Sequence, residues 1–175
     1  MAEVMELAQI SLTAEDFDQA FMASLCRYGF AALIHHQLDE DRVQRIYEAW
    51  RAFFGSGAAS AYAMDPEAQD GYFSLEQAES ARGFSQRDHK EYFQYYPWGR
   101  CPDFLQSDLN AHFEAAVALG TRLLRCVAEQ LPATISAQLT EPLCAMIEKS
   151  GQSMLRVLHY PPFSADETLL RAAPH

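Results

Sequence analysis

Apolar positions change their period along the chain, and each change marks an element. Thr13, followed three residues later by Asp16, predicts a helix N-terminus in a capping-box arrangement. Phe17, Phe21 and Leu25 then recur at four-residue spacing, one apolar stripe that ends near Tyr28 and Gly29. Phe30 to Ile34 is a short continuous apolar run suited to a buried strand. Asp39 predicts the cap of a second helix carrying Val43, Ile46, Tyr47, Trp50, Phe53 and Phe54, which stops at Gly55 and Gly57. Residues 55–105 are punctuated by Gly, Pro, Asp and Ser and read as mostly irregular. Aromatics are nevertheless dense there: Tyr72, Phe73, Phe84, Tyr92, Phe93, Tyr95, Tyr96 and Trp98.

A long helix is expected over about Ser107 to Leu131, with Leu109, Phe113, Val117, Gly120, Leu124 and Val127 on one face and Pro132 closing it. Another is expected over about Ile135 to Lys149, with a break at Pro142. The period then shortens to two. Ser153 to Tyr160 alternates as a strand, stopped by Pro161 and Pro162, and Thr168 to Ala172 reads as the next strand. Helices therefore come first and sheet opens only in the last quarter. Two strands alone are marginal and leave unpaired edges, so the pattern predicts the front part of something longer. The fold class expected is α+β, with helices flanking an unfinished sheet.

Composition narrows the class. Of 175 residues, 49% are hydrophobic and 21% charged, enough apolar content for a packed core rather than a disordered chain. The formal net charge of −11 repels phosphate backbones and anionic lipid, so neither nucleic acid nor membrane is an expected partner. Cys26, Cys101, Cys126 and Cys144 show neither C-x-x-C spacing nor a neighbouring His pair. Cys26 and Cys126 lie in apolar helical patterns and are expected as small buried thiols. The N-terminus carries acidic residues where a signal peptide needs basic ones, and a cytoplasmic location is expected.

Six segments in series carry a resemblance. They are CRYGFAALIHHQL (Cys26 to Leu38), WRAFF (Trp50 to Phe54), Gly71-Tyr72, DHKEYF (Asp88 to Phe93), LRVLHYPP (Leu155 to Pro162) and RAAPH (Arg171 to His175). In this order they resemble the GFF…NHG, FF, GY, D-x-KE-x-F, LR…YPP and first-ligand segments of the isopenicillin N synthase-like family of non-haem Fe(II), 2-oxoglutarate-dependent oxygenases. Leu158 departs from the pattern, standing where many members carry Asn.

The resemblance implies a helical N-terminal region flanking an incomplete double-stranded β-helix (jelly roll). It divides the chain into a dioxygenase-type α/β region (1–105), bracing helices (106–150) and the first jelly-roll strands (151–175). It implies Fe(II) as cofactor, 2-oxoglutarate as cosubstrate, dioxygen as oxidant and a small organic molecule as the species oxidised. Such iron is held by two imidazoles and one carboxylate on one face. His175 matches the first of these ligands, and Tyr160 and Leu158 match positions facing the cosubstrate. One imidazole cannot hold Fe(II) tightly, so residues 1–175 alone are expected to bind it negligibly.

The remaining candidates read as structural. Alternation puts Arg156, Leu158 and Tyr160 on one strand face and Leu155, Val157 and His159 on the other. Arg156 is expected to pair with backbone or a carboxylate. His35 and His36, if in a strand, point to opposite sides, with His36 hydrogen-bonded. His89 sits in an ion-pair-rich segment of a cavity wall. The competing reading is a non-catalytic family member that serves as a binding or scaffold module, and a second is an oxidase that dispenses with 2-oxoglutarate.

Overall fold

The computed structural model describes residues 7–78, 87–148, 150–164 and 171–172. They fall into two compact units, residues 1–39 with 114–150, and residues 40–113 with 151–175.

In the first unit, β1 (Gln9–Ser11) pairs in parallel with β2 (Ala32–Ile34), and α1 (Phe17–Tyr28) connects them. The expected stripe is the buried face of α1: Phe17 and Phe21 stack at 5.5 Å between centroids and pack with Ile10, Leu12 and Cys126. The helix starts four residues later than Thr13, because Ser11 and Ala14 carbonyls first accept turn hydrogen bonds from Ala14 and Phe17. It ends as expected. Gly29 takes a left-handed φ of 79°, and its N–H reaches the Leu25 carbonyl.

Arg122 caps the edge of this small sheet by donating to the Leu12 carbonyl at 2.7 Å, its guanidinium over the Phe17 ring. Cys126 is buried, but Cys26 is exposed, since it falls outside the Phe17–Phe21 stripe. The α3 helix (Asp103–Gln130) is longer at its start than the sequence pattern suggests. After it, the expected helix over 135–149 is only two single turns, α4 (Ala133–Ser136) and α5 (Ala145–Glu148), with Pro142 between them.

The second unit holds a three-stranded antiparallel sheet of order β3-β4-β5, made of Gly71–Phe73, Glu91–Tyr95 and Leu155–His159. The first two strands correct the reading of 55–105 as irregular. Both are short and aromatic, and Tyr72 pairs with Phe93 while Phe73 pairs with Tyr92. Of the dense aromatics, Tyr72, Phe73, Tyr92, Phe93 and Tyr95 lie in the sheet itself, Tyr96 and Trp98 follow β4, and Phe84 lies outside the described residues. Helix α2 (Glu40–Gly55) lays Ile46, Trp50, Phe53 and Phe54 toward it, and Trp50 meets Phe93 at 4.9 Å.

Phe93, Tyr95 and Leu109 are fully buried in that core. Each such side chain contributes roughly 1.5–3 kcal/mol of burial free energy. Tyr95 also donates its hydroxyl to the Asn110 side chain. A turn before the sheet is locked by Asp70, which accepts from the Arg100 backbone N–H at 2.7 Å and from its Nη2 at 2.9 Å. Arg100 Nη2 also donates to the Ala63 carbonyl. Trp98 Nε1 donates to the Gly151 carbonyl at 2.7 Å and so ties down the approach to β5. The strand expected over Thr168–Ala172 lies outside the described residues apart from Arg171 and Ala172, which form a bend.

Candidate functional site

Register decides which side chains share a face. Tyr92 opposes Leu158 and Gln94 opposes Arg156, so these four lie on one face of the sheet with Phe73. Glu91 opposes His159, and with Phe93, Val157, Tyr95 and Leu155 it lies on the other face, toward α2. The expected alternation along β5 is therefore found.

On the first face, Phe73 and Tyr92 stack at 4.5 Å. The Arg156 guanidinium lies 4.7 Å over the Tyr92 ring and donates to Gln94 Oε1 at 2.5 Å. Gln94 in turn donates to the Gln69 carbonyl at 2.6 Å. Arg156 thus has a side-chain amide and a ring among its partners. Leu158, opposite Tyr92, is 46% exposed and offers only apolar contact. Tyr160 follows the strand end half-buried. His175 lies outside the described residues.

On the helix-covered face, one carboxylate links all three strands. Glu91 accepts from the Tyr72 hydroxyl through Oε2 and from His159 Nδ1 at 2.6 Å through Oε1. An ionised carboxylate only accepts, so the Nδ1 proton belongs to the imidazole and Nε2 is left as the second ring nitrogen. Phe54 stacks on that imidazole at 5.1 Å. Burial first, and then the hydrogen bond to Glu91 with its negative charge, push the Tyr72 phenol well above its ordinary range.

Beside this network a groove of about 550 Å³ runs between α2 and β5. Neither the three-strand network nor the groove was read from the sequence. The signal was present in the alternation of DHKEYF against LRVLHYPP, which is visible only once the two segments are known to pair.

Other candidates resolve as local structure. β2 stops at Ile34, and His35 adopts a left-handed φ of 55°, so His35 and His36 do not share a strand. His36 Nδ1 accepts from the Leu38 N–H at 3.1 Å, a hydrogen-bonded structural role. Lys90 and Asp88 pair at 2.9 Å, and the His89 ring meets Phe163 edge-on. Among the described residues no group of three or more His, Cys, Asp or Glu is placed to hold a metal ion. Those residues by themselves therefore do not fit an iron site. No helix among them is long and apolar enough to cross a membrane.

Neither the protein-family models nor the curated proteins yield a match. Solved structures do. A Shewanella oneidensis protein assigned as an oxygenase superposes with a TM-score of 0.82 at 38% identity, over 94% of this chain and 58% of its own. JOX2, solved with 2OG, Fe and JA, gives 0.57 at 21% identity over 71% of this chain and 40% of its own. A full-length Neurospora crassa protein, solved with alpha-KG, gives 0.64 at 19% identity over 97% of this chain and 60% of its own. The 175 residues share the fold of these three proteins and span about three-fifths or less of each one's length.

Proposed function

We propose that residues 1–175 form the front part of an Fe(II)- and 2-oxoglutarate-dependent oxygenase that oxidises a small organic substrate in the cytoplasm. The observation that carries this reading is the 38% identity to the Shewanella oxygenase across 94% of the chain, with the family-like segments in order. On this reading β5 begins an incomplete jelly roll. Residues 1–105 form the dioxygenase-type region, 106–150 the bracing helices and 151–175 the opening of the catalytic core.

Roles follow from the face on which each residue stands. Carrying the β5 alternation one pair further puts Tyr160 on the Leu158 face, where its hydroxyl is a hydrogen-bond donor for the 2-oxo acid. Leu158 supplies an apolar wall that excludes water. Arg156, held by Gln94 and Tyr92, keeps that stretch of strand in place. His175 is one of the imidazoles for the iron, and the other ligands come from outside these residues. When bound, iron and 2-oxoglutarate supply the activation of dioxygen that oxidises an unactivated C–H bond.

The experiment is an anaerobic Fe(II) titration of residues 1–175 and of the longer gene product. The reading expects negligible binding by the former and one-to-one binding, strengthened by 2-oxoglutarate, by the latter. Absence of binding by the longer product overturns it.

A further inference from the structure

The β4–β5 ladder of the second unit ends at one pair. Glu91 opposes His159, the last residue of β5, and Tyr160 follows outside the strand. Pro161 and Pro162 come next, and neither has an N–H with which to resume a ladder. Strand pairing therefore stops one residue short of Tyr160. Pro161 also confines Tyr160 to extended backbone, which leaves the direction of its side chain to the residue before it.

That residue is held twice. His159 Nδ1 donates to Glu91 Oε1 at 2.6 Å, which fixes the turn of the ring within its own plane. Phe54 stacks on the imidazole at 5.1 Å with 15° between the planes, which fixes the plane itself. The Glu91 side chain is 13% exposed, and its other oxygen accepts from the Tyr72 hydroxyl. The carboxylate therefore cannot swing toward water without giving up both donors. Burial and then the bond to Glu91 keep the Tyr72 phenol protonated, so it stays a donor. A network that served only to join three strands would work at any register. This one closes on the last pair, one residue before Tyr160.

We propose that Glu91 and His159 are positioning residues for the cosubstrate. Clamped from the helix-covered face, His159 fixes the backbone from which Tyr160 turns to the opposite face, and so aims the Tyr160 hydroxyl at the 2-oxo acid. The inference rests on the oxygenase reading and on the part given there to Tyr160, and it adds the two side chains that act through that residue. A hydroxyl placed in advance loses less rotamer freedom on binding, so the clamp acts on cosubstrate affinity. Its contribution is the same before and during the oxidation. Uniform binding of that kind shows in KM rather than in kcat.

Two measurements test it, one of them independent of activity. In residues 1–175, NMR relaxation is expected to give the Tyr160 amide an order parameter of about 0.85 in wild type and below about 0.6 in His159→Leu, with Phe93 rigid in both. His159→Asn, whose amide nitrogen stands about where Nδ1 does, is expected to keep Tyr160 ordered. In the longer gene product, His159→Leu is expected to raise KM for 2-oxoglutarate by up to about tenfold, the scale of one hydrogen bond, with kcat within about twofold. His159→Asn is expected to restore KM. If His159→Leu also loosens Phe93, His159→Gln takes its place, since it stays polar but carries its donor one carbon too far. Equal Tyr160 order in wild type and the variant without the donor, an unchanged KM, or His159→Asn behaving like that variant overturns the inference. Succinate release with KM unchanged by the variant sinks the positioning role alone. Tyr160 order that depends on His159, in a protein whose longer product releases no succinate, sinks the oxygenase reading alone.

Discussion

Replacing Asp70 by Asn removes one charge from the most completely buried carboxylate whose partners are all in view. The Asp70 side chain is 4% exposed, whereas Arg100 is 46% exposed. The carboxylate accepts from the Arg100 backbone N–H at 2.7 Å, from Nη2 at 2.9 Å and from Nε at 3.3 Å. Asn keeps the size and one acceptor oxygen, but its NH₂ then faces a guanidinium N–H, donor against donor. A hydrogen bond to a charged group contributes about 1.5–3 kcal/mol. Breaking a buried pair costs about 3–5 kcal/mol when the remaining charge is left buried. Arg100 can turn to water and keeps the Ala63 carbonyl, which favours the lower range. The expected loss is about 2–3 kcal/mol, or roughly 4–12 °C in melting temperature at about 2–4 °C per kcal/mol.

The same residue sets a pH dependence. Burial works to raise the Asp70 pKa, but the side-chain and backbone hydrogen bonds from Arg100 outweigh it and hold the group below the usual carboxylate value. The unfolded chain thus takes up this proton more readily than the folded one. Its contribution is fully present above the ordinary carboxylate pKa of 3.8 and is lost as pH falls through the lower folded value. Thermal and urea unfolding of wild type and Asp70→Asn at pH 7 and down through pH 3 read both effects. The difference between the proteins should be largest at pH 7 and shrink in acid. A variant within about 0.5 kcal/mol of wild type at pH 7 (the scatter of ordinary surface substitutions), or a difference that grows on acidification, would refute the reasoning.

Four further outcomes are expected. Phe93→Ala, which empties a fully buried site between Trp50 and Phe53, should cost about 3–5 kcal/mol by urea unfolding. Gly71→Ala should lower the melting temperature by several degrees, since φ is +96° and a Cβ there would collide with the Tyr62 carbonyl oxygen; strain of this kind costs about 1–3 kcal/mol. Thiol labelling at pH 8 should modify exposed Cys26 first, while Cys101, its thiol pushed by burial to about 12, and Cys126, pushed by burial to about 11, react only on unfolding. Glu91→Gln should speed solvent exchange of a His159 Nδ1 proton read by NMR, because an amide with one acceptor oxygen replaces the carboxylate that both His159 and Tyr72 share.

Helices α1 and α2 were legible because their signal is local. Phe17 and Phe21 announce α1, and Trp50 and Phe53 announce α2, through spacing alone. The β3 and β4 strands were not. Three residues of β3 give no period, and Gly71 reads as punctuation until its left-handed φ is seen to start a strand. The exposed Cys26 shows the limit of an apolar neighbourhood as evidence for burial, since the helix face and not the composition decides it. At the candidate site, alternation along β5 placed Arg156 and Leu158 on one face and His159 on the other, and the β4 register agrees. The Tyr72–Glu91–His159 network required knowing which strands pair, a long-range fact that no local pattern encodes.

The most direct test of the central claim is succinate release from 2-oxoglutarate by the longer gene product carrying iron, compared between wild type and His175→Ala. The account predicts release by the wild type, its loss in the variant, and overlapping melting curves for the two. Undiminished succinate release by His175→Ala, or none from the wild type, would contradict it.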